Sequence, residues 1–580
     1  MVSFPHPTSQ QDFGLFFRLT QADTRESAQF TTRKSMVDQQ RIDSPNILQG
    51  AVVMNEPSAS VGLELGRIRG HAGESPAGSG LLNTEAPEQG TSESEPPASQ
   101  GLPPELPSIF AEVIFVLTCS GGQLVSAILI GHVAVTQYIF ASALGLPPSE
   151  IPWLIGASML PCGLSVIVSG SLADLLAPKP LLVGGFLWET LWMAIAAASV
   201  SLRLKALFFF ARAMQGLAAG VLVSASMSVL GRVYKPGIRK TRVFSLMAAF
   251  SPFGYWLGCL QAGALSAHLP WIFGSTAILF SFLSLAAHLT IPALSPAQDS
   301  SDSEAPSIHQ FDYAGAGLAS IGSTLIIFGL TQGSPANWSP YTYSAIVVGF
   351  FMLVAFYFVE KRVARPLIPN NLWKTRGFGA LLMSYFLGLG AYSGAWQFYA
   401  IQFWQRYQNA SPLTTTLYIL PNGLVGILAA FIVSKTLHVV PMHVIFTASM
   451  VAFALGPVFF LPQTPSTSYW ALSLPGIILA TFGPDMSFTA AAIFITSSVP
   501  RSYQGAAGSL LVTVQNLTVA IMTSISWAIG SRVEMLPNEE IGLKGIKAIW
   551  WFGLASALTG ALITVTMVRI PKAEEKEHVH

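Results

Sequence analysis

The chain has 580 residues, 51% of them hydrophobic and only 10% charged, with a net charge of +1 and a mean hydropathy of +0.53. So little charge does not cover the surface of a water-soluble protein of this length. The bilayer is therefore the expected solvent, and the near-neutral balance argues against nucleic acid as a partner. Cys119, Cys162 and Cys259 lie in apolar runs with neither a disulfide framework nor zinc spacing, and no GxxxxGK[ST] loop is present. No metal, cofactor or nucleotide motor is implied, so energy for work must come from elsewhere, such as an ion gradient.

Residues 1–108 differ from the rest. They are rich in charge, Ser, Gln and Pro, and residues 70–107 are low in complexity and acidic. Too little apolar surface is present there for a core, so a disordered cytoplasmic tail is expected, either a dispensable leader or a regulatory element. It lacks the basic start and apolar middle of a cleaved signal peptide.

A spanning helix needs about 20 mostly apolar residues. Candidates lie near 110–136, 153–173, 180–200, 206–230, 242–266 and 270–292. An acidic connector over 293–312 follows, then two spans near 313–332 and 340–360. Six more lie near 377–402, 413–435, 441–462, 469–497, 505–530 and 548–569. The pattern is six, two and six, about fourteen in all. With the N-terminus inside, 16 Lys and Arg fall in inner loops or the C-terminal tail and 6 in outer loops, which favours N-in and C-in. The sequons at Asn337 and Asn409 then face outward, each with Pro after its Ser.

Three stretches in the first half carry motifs. After the second span, GSLADLLAPKP sets Gly170, Asp174 and Lys179 at a membrane-edge turn, with Ala177 where a second Gly would stand. A small residue there lets helices approach, and the carboxylate can cap a neighbouring helix or pair with a basic group. In the fourth span, FFFARAMQGLAAG holds Arg212, with Gly216 and Gly220 as a close-packing GxxxG. Arg212 either faces a cavity or snorkels to the outer surface about two turns away. In the fifth span, SPFGYWLGCLQAG carries Pro252, Gly254 and Gly258, either a functional kink or a Gly-rich packing face.

These stretches resemble the major facilitator superfamily: its Gly-x-x-x-Asp loop signature, its Arg-x-x-x-Gly motif and, with Ser251 in place of Gly, its proline–glycine antiporter motif. Together with WLIGASMLPCGLSVIVSGSLADLL, FGPDMSFTAAAIFITSSVPRSYQGAAGSLLVTVQN and the six–two–six layout, residues 109–570 look like the fungal fourteen-span drug:proton antiporters. Within those they are similar to the branch of aminotriazole-resistance, boron-efflux and low-affinity ammonium transporters. The resemblance implies an all-α membrane protein. An N-terminal six-helix bundle (109–292) and a C-terminal one (361–570) rock around a midplane site, with two extra helices (313–360) between them and a cytoplasmic tail (571–580) after.

Asp485 stands about fifteen residues, or roughly 22 Å, into the twelfth span, near the bilayer centre. A carboxylate there costs about 2.5–3.5 kcal/mol, and its side chain is too short to snorkel. It either carries a proton between two environments or mends the kink made by Pro484. In the implied fold its span and that of Arg212 are each the fourth of a bundle, and both line the central cavity. Glu189, on the third span beside Gly185, is the weaker candidate, and the first span lacks the Asp that many antiporters of this class carry.

Other polar and aromatic residues complete the expected site. Ser120, Gln123 and Ser126 form a polar face on the first span, with His132 roughly opposite. On the ninth span Tyr385, Tyr392, Trp396, Tyr399 and Phe403, spaced by 7, 4, 3 and 4, share one α-helical face. That face is either a cavity wall suited to planar or cationic compounds or, at its outer members, an interfacial belt. Gln515 and Asn516 on the thirteenth span suit a cavity wall or interhelical hydrogen bonding.

The expected function is proton-coupled efflux of small organic compounds, xenobiotic or self-made, at the plasma membrane, with the vacuolar membrane as the other location. The partners are a small-molecule substrate, protons and the lipid bilayer. One alternative is transport of very small polar solutes such as boric acid or ammonium. Another is a nutrient-sensing receptor on a transporter fold. No nucleophile–base–orienter set points to an enzyme.

Overall fold

The computed structural model describes residues 103–234, 238–294, 311–333, 335–363, 366–436, 440–499 and 504–569. The expected disordered tail up to residue 102, most of the acidic connector and the last residues from 570 lie outside them.

Fourteen helices among the described residues are long and apolar enough to cross a membrane. The first eight are α1 (Ile109–Ala134), α2 (Trp153–Leu175), α3 (Pro178–Ser201), α4 (Lys205–Val233), α5 (Ile238–Ala264), α6 (Leu269–Thr290), α7 (Tyr313–Gly333) and α8 (Pro340–Glu360). The remainder are α9 (Phe378–Tyr407), α10 (Pro412–Thr436), α11 (Met442–Phe460), α12 (Leu474–Ser498), α13 (Gln504–Val533) and α14 (Leu543–Met567). Backbone groups in hydrocarbon must be paired within the segment, which is why each apolar run becomes a helix. Local chemistry sets the ends. The Ser108 hydroxyl accepts from the Ala111 N–H at 3.1 Å to cap α1, and Pro opens α3 and α8 where its missing N–H is not needed. Pro161, Pro252, Pro421, Pro457 and Pro484 sit inside helices, as membrane-spanning helices in a bundle tolerate.

The same pairing pattern appears twice. α1 packs on α5, α2 on α4 and α3 on α6, while α9 packs on α13, α10 on α12 and α11 on α14. Two seams join the sets, α2 with α13 and α5 with α10. Small residues permit the closest approaches: a Cβ on Gly216 would overlap the Ser158 carbonyl oxygen at 1.9 Å, so no larger residue fits between α4 and α2 there. The extra pair, α7 and α8, packs mainly on itself and touches the rest through α7. The Thr331 and Ser524 hydroxyls bond at 2.7 Å, and Ile327 joins Leu160, Leu164 and Ala520. The pair thus lies along the α2–α13 seam and leaves the α5–α10 seam bare of extra helices.

α9 departs from the expected straight helix. It runs to Tyr407 instead of ending near 402, because Gln402, Gln405 and Arg406 find polar partners there. Within it, Gly390–Gln397 forms a π-helical stretch between two α-helical pieces. A π turn holds more residues than an α turn, so the face that points inward shifts along the helix.

Candidate functional site

Six helices, two from the first half and four from the second, supply most of the wall of a cavity of about 210 Å³ between the two sets. α1 contributes Gln123 and Ser126, α5 Pro252 and Tyr255, and α9 Tyr385, Tyr392 and Gln397. Asn422 comes from α10, Thr481 and Asp485 from α12, and Gln515 and Asn516 from α13. Most polar groups in this wall are spoken for. The Tyr385 hydroxyl donates to Gln515 Oε1 at 3.1 Å, and the Tyr392 hydroxyl accepts from the side-chain amides of Asn422 and Gln397. Asn516 Nδ2 donates to the Val512 carbonyl of its own helix at 2.9 Å.

Asp485, like Gln123 and Ser251, is not spoken for in this way. It is half-buried and forms no hydrogen bond or ion pair among the described residues. Its Oδ2 stands 3.3 Å from the point where a Cβ on Gly426 would lie, and Pro252 stands 3.2 Å from that same point. The carboxyl group therefore sits against bare α10 backbone beside α5, at a seam between the two halves. Gly426 leaves the space for it. A group in that place can accept a proton or a cation from the cavity, and its charge bears directly on a contact between the two halves.

The expected residues fall into two groups. Gln123, Tyr392, Asp485, Gln515 and Asn516 line the cavity together, as does Pro252. Arg212, Trp396 and Tyr399 do not. Arg212 neither lines the cavity nor snorkels. It is fully buried within the first set and donates to Gln215 Oε1 at 2.9 Å, Leu129 O at 2.7 Å and Ser158 Oγ at 2.9 Å. A guanidinium that finds fixed acceptors on three helices has no need of water, which is why it stays inside. Trp396 and Tyr399 are turned away by the π-helical stretch. Trp396 packs edge-on to Phe460 at 5.3 Å with its ring over Gly456, and the Tyr399 hydroxyl donates to Thr523 O at 3.1 Å. Phe403 likewise packs on Trp550.

Of the motif residues, Gly254 and Gly258 seat α5 on α1. A Cβ at Gly254 would stand 3.0 Å from Leu124 O, and one at Gly258 would stand 2.8 Å from Ile128 O. Gly170 faces Ser509 Oγ on α13, and Lys179 is half-buried in the first turn of α3. Asp174 lies in α2, but its side chain is outside the described residues. Glu189 is fully buried, and neither carboxyl oxygen has a hydrogen-bond partner among the described residues. His132 is buried against Gln261 at 2.8 Å and Thr276 at 3.2 Å, off the cavity. Tyr255, Asn422 and Thr481 were missed from the sequence. The signal for two of them was present: an Asn after Pro421 in an apolar span, and a Thr four residues before Asp485 on the same helical face.

One end of the cavity is closed. At the end that the Lys/Arg distribution assigns to the outside, Gln402 Nε2 donates to Gln137 Oε1 at 3.1 Å and Gln405 Nε2 to Val135 O at 2.6 Å. Arg406 adds an ion pair to Glu540 at 2.7 Å and a bond to Ile541 O at 2.7 Å. These contacts tie the last turns of α9 to the end of α1 and to the approach to α14.

Comparison with known proteins decides the family. The model of the Major Facilitator Superfamily matches residues 119–523. The chain belongs to the Major Facilitator Superfamily. A low affinity ammonium transporter of Saccharomyces cerevisiae is 31% identical over 482 residues, 81% of this chain and 92% of that one. The efflux pump terJ of Aspergillus terreus is 28% identical over 466 residues, 79% of this chain and 88% of that one. The aminotriazole resistance protein of Saccharomyces cerevisiae is 28% identical over 464 residues, 78% and 83% of the respective chains. Among solved structures, a peptide transporter POT in complex with sulfate matches at a TM-score of 0.56 and 14% identity, over 79% of this chain and 96% of that chain, which shows the shared fold. The superfamily fold, with its repeated helix sets and central cavity, is thus common ground. The chain is a multi-pass membrane transporter of this superfamily, and its relatives include fungal efflux and resistance proteins.

Proposed function

We propose that this protein is a proton-coupled efflux carrier for small organic compounds, xenobiotic or self-made, working by alternating access at the plasma membrane. The observation that carries this reading is Asp485: an acidic group without a partner among the described residues, beside an aromatic-walled cavity and against a seam between the two halves. In the proposed cycle the outward-facing cavity protonates Asp485 as substrate leaves, and the inward-facing cavity exchanges that proton for new substrate. One charge crossing 100 mV is worth about 2.3 kcal/mol, enough to hold a roughly 40-fold gradient of a neutral compound. The walls of Tyr255, Tyr385 and Tyr392 suit planar or cationic molecules.

The test is accumulation of a panel of labelled toxic compounds in energised cells, wild type against Asp485→Asn, each with and without a protonophore. Lowered accumulation in wild type, abolished by either the mutation or the protonophore at equal surface expression, is the expected result. Unchanged export by Asp485→Asn removes the proton pathway.

A second reading has one specific support, the 31% identity to a low affinity ammonium transporter. It makes the cargo a very small polar solute. A cavity of about 210 Å³ exceeds what ammonium needs, so a series of substrates graded by size separates the two.

A further inference from the structure

The loop that leaves α8 reads KRVARPLIPNNLWKTR over residues 361–376, with five Lys or Arg and no acidic residue. Orientation alone explains basic residues on this side of the membrane, but it does not explain what the loop builds. Glu360, the last residue of α8, folds the chain back under its own helix: Oε1 accepts from the Leu367 N–H at 3.0 Å and Oε2 from the Ile368 N–H at 3.2 Å. Both carboxyl oxygens are thereby engaged by backbone, and a short helical turn, Asn370–Lys374, follows. Between this turn and the foot of α8 lies a cavity of about 260 Å³, walled by Phe356, Tyr357, Glu360, Ile368, Asn370 and Trp373.

The chain segments that flank it are cationic. Lys361, Arg362, Lys374 and Arg376 are exposed, and none forms an ion pair among the described residues. The Lys361 ammonium sits 4.2 Å from the centroid of the Tyr357 ring, held at the mouth of the cavity by a cation–π contact. Trp373, half-exposed, sits at the same level, as aromatic residues do where hydrocarbon gives way to headgroups. α8 itself is the least covered of the spans, with 11% of its apolar window buried, so the mouth borders lipid.

We propose that the foot of α8 is a binding site for an anionic phospholipid of the cytoplasmic leaflet. The aromatic cavity takes the glycerol and first acyl carbons, and the four cations take the phosphate and the second negative charge of the headgroup. A zwitterionic lipid supplies the same apolar part but no net charge, and free phosphate has no use for the apolar floor. The site lies on the peripheral extra helix, apart from the central cavity, and stands independently of the cargo.

The test uses the full-length protein in phosphatidylcholine bilayers containing a trace of photoactivatable phosphatidylserine, or of photoactivatable phosphatidylcholine with the same reactive group, followed by peptide mapping. The phosphatidylserine probe is expected to label peptides from residues 353–376 at least about fivefold more than its counterpart, the factor that one Lys or Arg near an anionic surface supplies. Ile368→Trp fills the cavity and keeps every charge. It is expected to cut that labelling severalfold, as is Lys374→Gln combined with Arg376→Gln. Equal labelling by the two probes in wild type overturns the site. So does wild-type labelling of a well-folded Ile368→Trp protein, which would mean a diffuse basic surface. If the double charge variant fails to insert, the comparison of the two probes in wild type decides alone.

Discussion

Arg212 and Asp485 occupy matching helices, α4 and α12, each the fourth of its set, and each brings an ionisable side chain into an apolar span. Their surroundings are opposite. Arg212 is fully buried and spends its guanidinium on Leu129, Ser158 and Gln215, so it pins α1, α2 and α4 together. Asp485 is half-buried, has no partner among the described residues, and faces the cavity beside Gly426 and Pro252. A buried polar group held by several hydrogen bonds to its neighbours is part of the framework. One left without partners retains an insertion cost, which a proton or a cationic cargo offsets in the proposed cycle.

Breaking that contrast starts with its stronger half. Asp485→Asn removes the charge and keeps the shape, so energised export is expected to fall on the order of 100-fold, the upper range of coupling energies, while thermal stability in detergent holds or rises. Arg212→Met is expected to do the reverse. Three acceptors lose their donor, destabilisation is about 3 kcal/mol, and the melting temperature and surface level drop while the remaining molecules stay sensitive to protonophore. A stable but uncoupled Arg212→Met protein would place the arginine in the transport machinery after all.

Smaller effects sharpen the picture. Gly426→Val pushes a side chain onto Pro252 and Asp485, and overpacking of this kind costs about 1–3 kcal/mol. Since the clash is at a seam between halves, the maximal transport rate should fall severalfold with little change in half-saturation. A rise in half-saturation alone would instead make Gly426 part of the substrate wall. The smallest test concerns α9. Tyr392→Phe removes a hydroxyl bonded to Asn422 and Gln397, worth about 1 kcal/mol, and is expected to alter the ranking of exported compounds. Trp396→Phe, buried against Phe460 and away from the cavity, is expected to leave the ranking unchanged. Equal effects from both would restore a single aromatic wall.

Much of the fold was legible because a span announces itself by composition. Its length matches the hydrocarbon, and no other local structure satisfies the backbone there. Asp485 was legible for the same reason, since an acid far from either end of an apolar run stands out. The aromatic face of α9 was misread because counting at 3.6 residues per turn assumes an unbroken α-helix. Gly390–Gln397 winds more loosely, and Trp396, Tyr399 and Phe403 turn into the bundle. Arg212 was misplaced because sequence shows where a charge lies along a helix but not which acceptors the neighbouring helices present.

By itself the sequence determined the fourteen apolar helices, the family resemblance and the isolation of a carboxyl group in the twelfth of them, all of which follow from local composition and spacing. Only the tertiary structure decided which polar groups met partners. Three helices closed around Arg212, while Gly426 left Asp485 against bare backbone at the α5–α10 seam. The physical reason is that hydrogen-bond satisfaction belongs to the space between helices, where residues more than 80 positions apart, such as Leu129 and Arg212, come within 2.7 Å.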